Sequence, residues 1–463
     1  MSVSNVYGQG EPKQGWTSSP DSRGTLDILW GSSMTSFLCC WSILCINVPP
    51  REDSRRVVLT RKLLMALATL FAPECIVVVA FGQYLSARRS VKDFAAAGIS
   101  HWTMRHAFVA DMGAFLLQTP DWLPFPVNAQ QLLWLIQHNY IEIPRQQIQS
   151  IIDKNKADGF MRLIMAAQTI WFCVNIVGRL AQGLAITAIE VTTVAFIYCG
   201  LSIMFFWRHK PAGVETVEIL HSRASLADIL IAGGDAARHP YYETPLDFIN
   251  RKEWAWSKYL AHCRQAISGR FKAHRKPANH ISSLTTPEIP FNLFRLGTIG
   301  VMGYCCLFIP PWNSSFPTLE EQLLWRVSTV GCLASLVTME LLTDWVFYLW
   351  PAIQRRWRTS RRQSNREREP TGDSGVRRAH EISAQAGQQA PTTMLWNRLR
   401  NNSPSKDPDL AIPLKVVVAL WVSGLIYTVC RVYILVEDFV ELRALPASAF
   451  KTVDWSQAFP HMG

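Results

Sequence analysis

The residues with the most chemical potential in this sequence are ionisable side chains set inside apolar runs. Glu74 directly follows Pro73 in the run from Lys62 to Leu85, Arg179 and Glu190 flank a short connection between two further runs, and Arg431 interrupts the last one. Glu340 and Asp344 stand four apart and so share a helical face. An ionisable group in hydrocarbon costs about 2.5–3.5 kcal/mol on insertion scales, so each such residue either finds a partner or lines a water-filled cavity. Arg179 and Glu190 are placed to pair across their hairpin, and Arg431 is the candidate partner of Glu340 and Asp344. A desolvated carboxylic acid can keep its proton for catalysis, and the faces of Trp41, Trp171 and Trp325 can stabilise a cation. Glu74, Glu340 and Asp344 are therefore the candidate acid–base residues, and Arg431, Arg179, Glu190, Trp171 and Trp41 the candidate binding residues.

Other constellations point to packing. Ten of the 11 cysteines fall inside apolar runs, with no C-x-x-C and no Cys/His ligand spacing, so they read as small apolar residues. His101, His106 and Asp111 recur at steps of five, each advancing about 140° around a helix, which does not bring them to one face. No metal site is expected. P-loop, Rossmann, G-x-S-x-G and H-E-x-x-H patterns do not occur, which argues against soluble nucleotide-dependent and zinc-peptidase chemistry and leaves no cofactor assigned. Asn313 and Asn401 begin glycosylation sequons that identify no function.

The elements that must hold these residues follow from composition. Of 463 residues, 49% are hydrophobic and only 17% charged, against about 25% charged in ordinary soluble chains. The charge is thinned where long apolar segments exclude it. A hydrocarbon core of about 30 Å needs roughly 20 helical residues, and runs of that order suggest about seven spans: 25–48, 62–85, 160–181, 184–207, 293–312, 323–350 and 412–436. The expected fold is all-α, a polytopic transmembrane helix bundle with partly helical cytoplasmic loops. Its divisions are a polar tail (1–24), two spans (25–85), an extramembrane helical loop (86–159), a transmembrane hairpin (160–207), a partly helical loop (208–292), two spans (293–350), a basic disordered loop (351–411), the last span (412–436) and a C-terminal tail (437–463). The N-terminal tail has no apolar core of a cleavable signal.

Basic residues set the orientation. Arg88, Arg89 and Lys92, then Arg208 and Lys210, then Arg355, Arg356 and Arg358 follow spans directly, which predicts a cytoplasmic N-terminus, three large cytoplasmic loops and a C-terminus on the far side. The basic stretch from Arg51 to Lys62 is the contrary vote. The net charge of +11 reads as topology and contact with anionic head groups, and nucleic-acid binding is not expected because the run from Arg355 to Arg368 has no aromatic platform beyond Trp357.

Within the loops, Asn128 before Ala129–Ile136 is an N-cap ahead of an apolar stripe, and a second short helix is expected after Pro144 through Ile148, Ile151 and Ile152. Ala107–Leu117 is too short to span and reads as an interfacial or buried helix. Glu215–Ile231 and Leu246–Phe271 read as helical, and Thr359–Lys406 as disordered. No internal repeat occurs, which weighs against a carrier built from inverted halves.

The runs Gly15–Pro20 with Arg23-Gly24-Thr25, Ala72-Pro73-Glu74, Ala87–Lys92, His101–Phe108 with Asp111-Met112-Gly113, Pro124–Ala129, Lys156–Phe160, and Arg431–Glu437 with Leu445-Pro446 and Val453-Asp454-Trp455 carry a resemblance. Over nearly its whole length the sequence resembles a family of fungal, uncharacterised multi-pass membrane proteins. The resemblance implies an integral membrane bundle and carries over no catalytic residue. Ala114 departs from the pattern, which has a second Gly there.

Three functional readings follow. The first is an endomembrane enzyme, in the endoplasmic reticulum or a related membrane, whose aromatic, acid-containing cavity acts on an apolar small molecule such as an isoprenoid or polyketide by acid–base chemistry. The second is a channel, transporter or sensor in which the same charges line a solute path. The third is a non-catalytic scaffold that docks cytoplasmic proteins through its basic loops. The expected partners are the lipid bilayer, an apolar small molecule and those cytoplasmic proteins.

Overall fold

The computed structural model describes residues 11–19, 23–142, 158–214, 217–238, 243–250, 277–283, 291–314, 316–345 and 414–455, with a few isolated positions between them. The chain divides into two compact units. The first holds Met1–Ile229, Ala278–Leu336 and Ile426–Gly463, and the second Leu230–Pro277 and Val337–Leu425.

Apolar runs become helices, but not the seven expected. Among the described residues four helices are long and apolar enough to cross a membrane: α6 (Asp158–Ala181), α7 (Ala188–Phe206), α10 (Leu319–Asp344) and α11 (Leu414–Val440). A fifth candidate is a bent pair, α2 (Arg55–Phe71) and α3 (Pro73–Ala96). The remaining two runs give shorter helices, α1 (Thr25–Trp41, 17 residues) and α9 (Phe291–Cys306, 16 residues). The exposed side chains of α6 include Leu163, Ile170, Trp171 and Val177, an apolar face of the kind that lipid covers.

The bend has a local cause. Pro73 lacks an N–H and forces the preceding residue out of the helical region, and Ala72 is accordingly at φ −141°, ψ 68°. Helix α2 therefore stops at Phe71, α3 restarts with Pro at its first position, and their axes turn by 112°. Both ends of the pair return to the same neighbours. Ahead of α2, Asn47 bonds the backbone and side chain of Ile281–Ser283 and Val48 N–H donates to Met112. On α3, Gln83 donates to the Ser283 carbonyl at 3.0 Å and Ser86 to Asp111 at 3.0 Å.

At the opposite end of the first unit lies a cap. Strand β1 (Lys13–Gln14) pairs antiparallel with β5 (Leu445–Pro446), Arg23 N–H donates to Phe450, and Ile28, Ala185, Ile189, Leu442, Leu445, Ala449 and Phe450 form one buried cluster. Glu321, in the first turn of α10, pairs with Arg443. Paired strands lie on one face of the protein, so the expectation of tails on opposite sides does not hold: the tails flanking α1 and α11 close the same end.

The all-α expectation also needs correction. Strands β2 (Phe115–Gln118), β3 (Phe125–Val127) and β4 (Glu218–His221) form a three-stranded sheet in which β2 runs antiparallel to β3 and parallel to β4. The run Ala107–Leu117 splits into α4 (Met104–Asp111) and β2, with Gly113 turning the chain at φ +82°. Ala114 is fully buried there, and its carbonyl accepts from Glu218 N–H at 2.8 Å. Glu215–Ile231 likewise gives β4 and then the short α8 (Leu226–Ala232). The predicted cap is present: the Asn128 side chain accepts from Gln131 N–H at 3.0 Å and opens α5 (Ala129–Gln137). The helix expected after Pro144, most of Leu246–Phe271 and the stretch Thr359–Lys406 lie outside the described residues. In the second unit, Asp247 accepts from Thr244 N–H at 3.1 Å and from Glu243 N–H at 2.8 Å, holding a 3-10 turn over Asp247–Ile249.

Where α7 ends, the chain buries an amine. Lys210 is 2% exposed, its Nζ donates to Gln83 Oε1 at 2.9 Å and lies 4.4 Å from the centre of the Trp207 ring. Burial pushes its ammonium down to about 8, although Cys45 and Asp111 act in the other direction. Between about 8 and the ordinary 10.5 the unfolded chain holds a proton that the folded chain has lost, so stability rises with pH across that window. Relative to Lys210→Met, the wild-type protein in detergent should gain up to about 3 kcal/mol over that range. Thermal unfolding of both at pH steps reads the difference, and parallel curves would mean that the amine is solvated.

Candidate functional site

Helix α11 supplies the centre of the site. Arg431 is 2% exposed, and its guanidinium carbon lies 5.5, 5.6 and 5.2 Å from the ring centres of Phe196 on α7, Tyr304 on α9, and Phe308 just beyond α9. A cation out of water needs acceptors, and the helix break provides one. Cys75 N–H turns back to Ala72, which leaves the Phe71 carbonyl without its helical donor, and Arg431 Nε donates to it at 3.2 Å. One residue past the proline, Glu74 is 1% exposed and accepts a short hydrogen bond from the Tyr427 hydroxyl. Tyr427 lies one turn before Arg431 on α11, so the two reach the apex of the bent pair together.

Four helices bring polar atoms here that have no hydrogen-bond partner among the described residues: Glu74 Oε2, Tyr304 Oη, Thr329 Oγ1 and Arg431 Nη2. Buried polar atoms are nearly always satisfied, so four at one place mark an open site. Tyr304, Thr329, Tyr427 and Arg431, with Cys305, Phe308, Cys332 and Ile434, line one cavity with room for about one water molecule. Helix α10 reaches α11 closely because Gly331 faces Cys430, where an added Cβ would stand 2.7 Å from the sulfur. The arrangement can hold a proton on Glu74, pass it to or from Tyr427, and present a guanidinium N–H and two hydroxyls to a small guest.

Of the residues expected from sequence, Glu74 and Arg431 meet at this site. Arg179 and Glu190 instead build the cap, and with a different pairing from the one expected. Glu190 pairs with Arg23 at 2.5 Å and accepts from Thr187 N–H at 3.0 Å, whereas Arg179 donates to the carbonyls of Ala185, Ser448, Ala449 and Lys451. The reason is reach: the Arg179 fork meets a cluster of carbonyls from the C-terminal segment, leaving the nearer carboxylate to Arg23. Trp171 is 58% exposed and faces out beside Trp455, and Trp41 stacks on Phe37 with Lys62 Nζ 4.6 Å from its ring, so neither lies against the buried acids. Trp325 is fully buried and packs on Phe316 and Phe308. Glu340 and Asp344 are half-buried on the last turns of α10, in the second unit, while Arg431 takes its acceptor from the α2–α3 break.

The other constellations have structural roles. Asp111 accepts from Ser86 and from Ala129 N–H, and His106 Nδ1 accepts from Thr103 N–H at 2.9 Å, capping α4. Burial and the charge of His101 hold the His106 imidazole below its ordinary range. No group of three or more His, Cys, Asp or Glu fit to hold a metal ion occurs among the described residues. Sequence reading missed Tyr427, Tyr304 and Thr329. Tyr427 had a signal in its spacing of four from Arg431, whereas Tyr304 and Thr329 lie on helices that only packing brings near.

If the guanidinium holds the break together, Arg431→Met should lower folded yield and destabilise the protein by about 3–5 kcal/mol, because it strands the Phe71 carbonyl and the Glu74 carboxylate. Glu74→Gln keeps a side-chain acceptor for Tyr427 and should cost far less. Fluorescence-detected size exclusion with thermal challenge compares the two, and equal losses would count against this division of roles.

No curated protein and no solved structure matches the chain. A family model does match, over two stretches that carry Glu74, Tyr427 and Arg431 but not Tyr304, Thr329, Glu340 or Asp344. With residues 2–231 and 398–462 matched, the chain belongs to the family of unknown function DUF8562.

Proposed function

We propose that this protein is a proton-linked membrane carrier or channel whose working site is the α2–α3 break with Arg431. The observation that carries the reading is the set of four polar atoms with no partner among the described residues, on Tyr304, Thr329 and Arg431 around one cavity and on Glu74, which α11 joins to it through Tyr427 at the apex of a broken helix pair. Broken helices inside a bundle are tolerated where the freed backbone meets protein or a water-filled cavity, and membrane proteins use them to bind and pass small polar species. A cavity for about one water suits a proton or a small solute and is far too small for an isoprenoid or polyketide, which favours transport over the enzyme expected from sequence.

The same reading carries a topology. Helix α1 with its continuation to Cys45 matches the height of α7, since Arg23 meets Glu190 at one end and Cys45 meets the Lys210 carbonyl at the other. We take α1, α6, α7, α9, α10 and α11 to cross, and α2–α3 to enter and leave by one side. The basic residues Arg51–Lys62, the contrary vote in a seven-span topology, then join Arg88, Arg89, Lys92, Arg208 and Lys210 on the cytoplasmic side, and the β1–β5 cap with both tails faces away from the cytoplasm.

Two experiments test these readings. Epitope tags on both tails should be protected from protease in sealed microsomes and cut after detergent. Tags on opposite sides, or both exposed, would refute the topology. Proteoliposomes loaded with a pH dye should take up protons down an imposed gradient, and Glu74→Gln should cut that rate at least about tenfold with the folded yield kept. A rate equal to empty vesicles, or one unchanged by Glu74→Gln, would refute the carrier or channel.

A further inference from the structure

Beyond a proton path, the donor set of the cavity identifies a guest, on the reading of the site just given. The residues that line the cavity carry three buried polar atoms with no partner among the described residues, a guanidinium N–H of Arg431 and the hydroxyls of Tyr304 and Thr329, and all three can donate. These side chains are 2%, 2% and 4% exposed, so water does not satisfy them from outside. Among the described residues Arg431 forms no ion pair within 4.0 Å; its Nε donates to the Phe71 carbonyl, and Glu74 accepts from the Tyr427 hydroxyl. Three donors around one positive charge, in a space of about one water, fit a spherical monovalent anion. Phosphate, sulfate and carboxylates are too large.

We propose that the cavity binds a halide ion together with a proton on Glu74. The coupling follows from charge. With Glu74 ionised, the carboxylate already helps to balance Arg431, and an added anion would leave net negative charge in a low-dielectric interior. With Glu74 protonated, Arg431 loses that part of its counter-charge and the halide supplies it. Proton and halide therefore enter as a neutral pair, and each raises the affinity for the other. The other charged group facing Arg431 is Asp438, two turns further along α11 and held by the Thr192 hydroxyl at 3.0 Å. The remaining titratable neighbours of Glu74 are Tyr427, Tyr304 and the thiols of Cys75, Cys199, Cys305 and Cys332.

The test uses the full-length protein in detergent, with sodium chloride, bromide, gluconate or sulfate at matched ionic strength. Chloride and bromide should raise the thermal midpoint above gluconate and sulfate, and the apparent halide affinity should fall by up to about tenfold per unit as pH rises through the titration of Glu74. Glu74→Gln, a permanently neutral side chain there, should bind halide with no pH dependence. Tyr304→Phe combined with Thr329→Val should weaken halide binding at least about tenfold while leaving the gluconate midpoint close to wild type. Equal midpoints in chloride and gluconate at every pH, in both the wild type and Glu74→Gln, would overturn the proposal, as would halide binding that keeps its pH dependence in Glu74→Gln. Proton uptake that depends on Glu74 but is the same in chloride and gluconate would also overturn it, and would leave the proton path of the preceding subsection standing. Halide binding with the expected pH dependence but without proton flux would support the halide site and reject the transport reading.

Discussion

Pro73 has no amide hydrogen, and from that constraint most of the membrane site follows. The second apolar run cannot continue as one helix, so its carbonyls at Phe71 and Ala72 are released in a place where water is scarce. Cys75 N–H takes one of them and Arg431 the other. Once a guanidinium is committed to that carbonyl it must be housed, and three aromatic rings from α7, α9 and the residues just beyond α9 surround it. Its position on α11 carries Tyr427 to Glu74, and Glu74 is at the apex because it directly follows the proline. Without the break, Glu74 would lie on a continuous helix with no reason to meet the last one.

The two ion-rich places in the first unit differ in a way that separates support from function. In the cap, Arg179 satisfies four backbone carbonyls, Glu190 is held by Arg23 and Thr187, and Glu441 accepts from Ala188 N–H at 2.7 Å. That network holds the end of the bundle rigid and ties the N-terminal and C-terminal segments together through β1 and β5. At the break, by contrast, polar atoms on Glu74, Tyr304, Thr329 and Arg431 meet no partner among the described residues. A fold tolerates that cost where a guest or a moving proton can offset it, and this asymmetry motivates the proposed transport role.

Closing the bundle by pairing its tails also governs how the chain can sit in a membrane. A β-pair between segments near the two ends requires an even number of crossings between them, and the proposed re-entrant course of the bent pair would reconcile this with seven apolar runs. The bend is held by segments outside the two helices. The segment Ile281–Ser283 bonds both Asn47 before α2 and Gln83 on α3, and the sheet β2–β3–β4 lies next to the Met112 carbonyl that Val48 uses. The sheet thus helps to aim Glu74.

Local features were legible in the amino-acid order because their causes are local. Apolar run length marks the helices, Asn128 caps α5 through its own third neighbour, Pro73 announces a break, and the cost of charge in an apolar run singles out Glu74 and Arg431. Strands of three or four residues were not legible, since β2 and β4 are too short for a clear period of two and pair across about a hundred residues. The choice among partners was equally hidden. Run length says that Arg179, Glu190, Arg431, Glu340 and Asp344 need companions, but hydrogen bonds and ion pairs are decided within a few ångströms, and only helix packing brings Arg23 to Glu190 or Phe71 and Tyr304 to Arg431. The same holds for the bend: a proline dictates that a helix must stop, whereas the direction of the next helix depends on what it packs against.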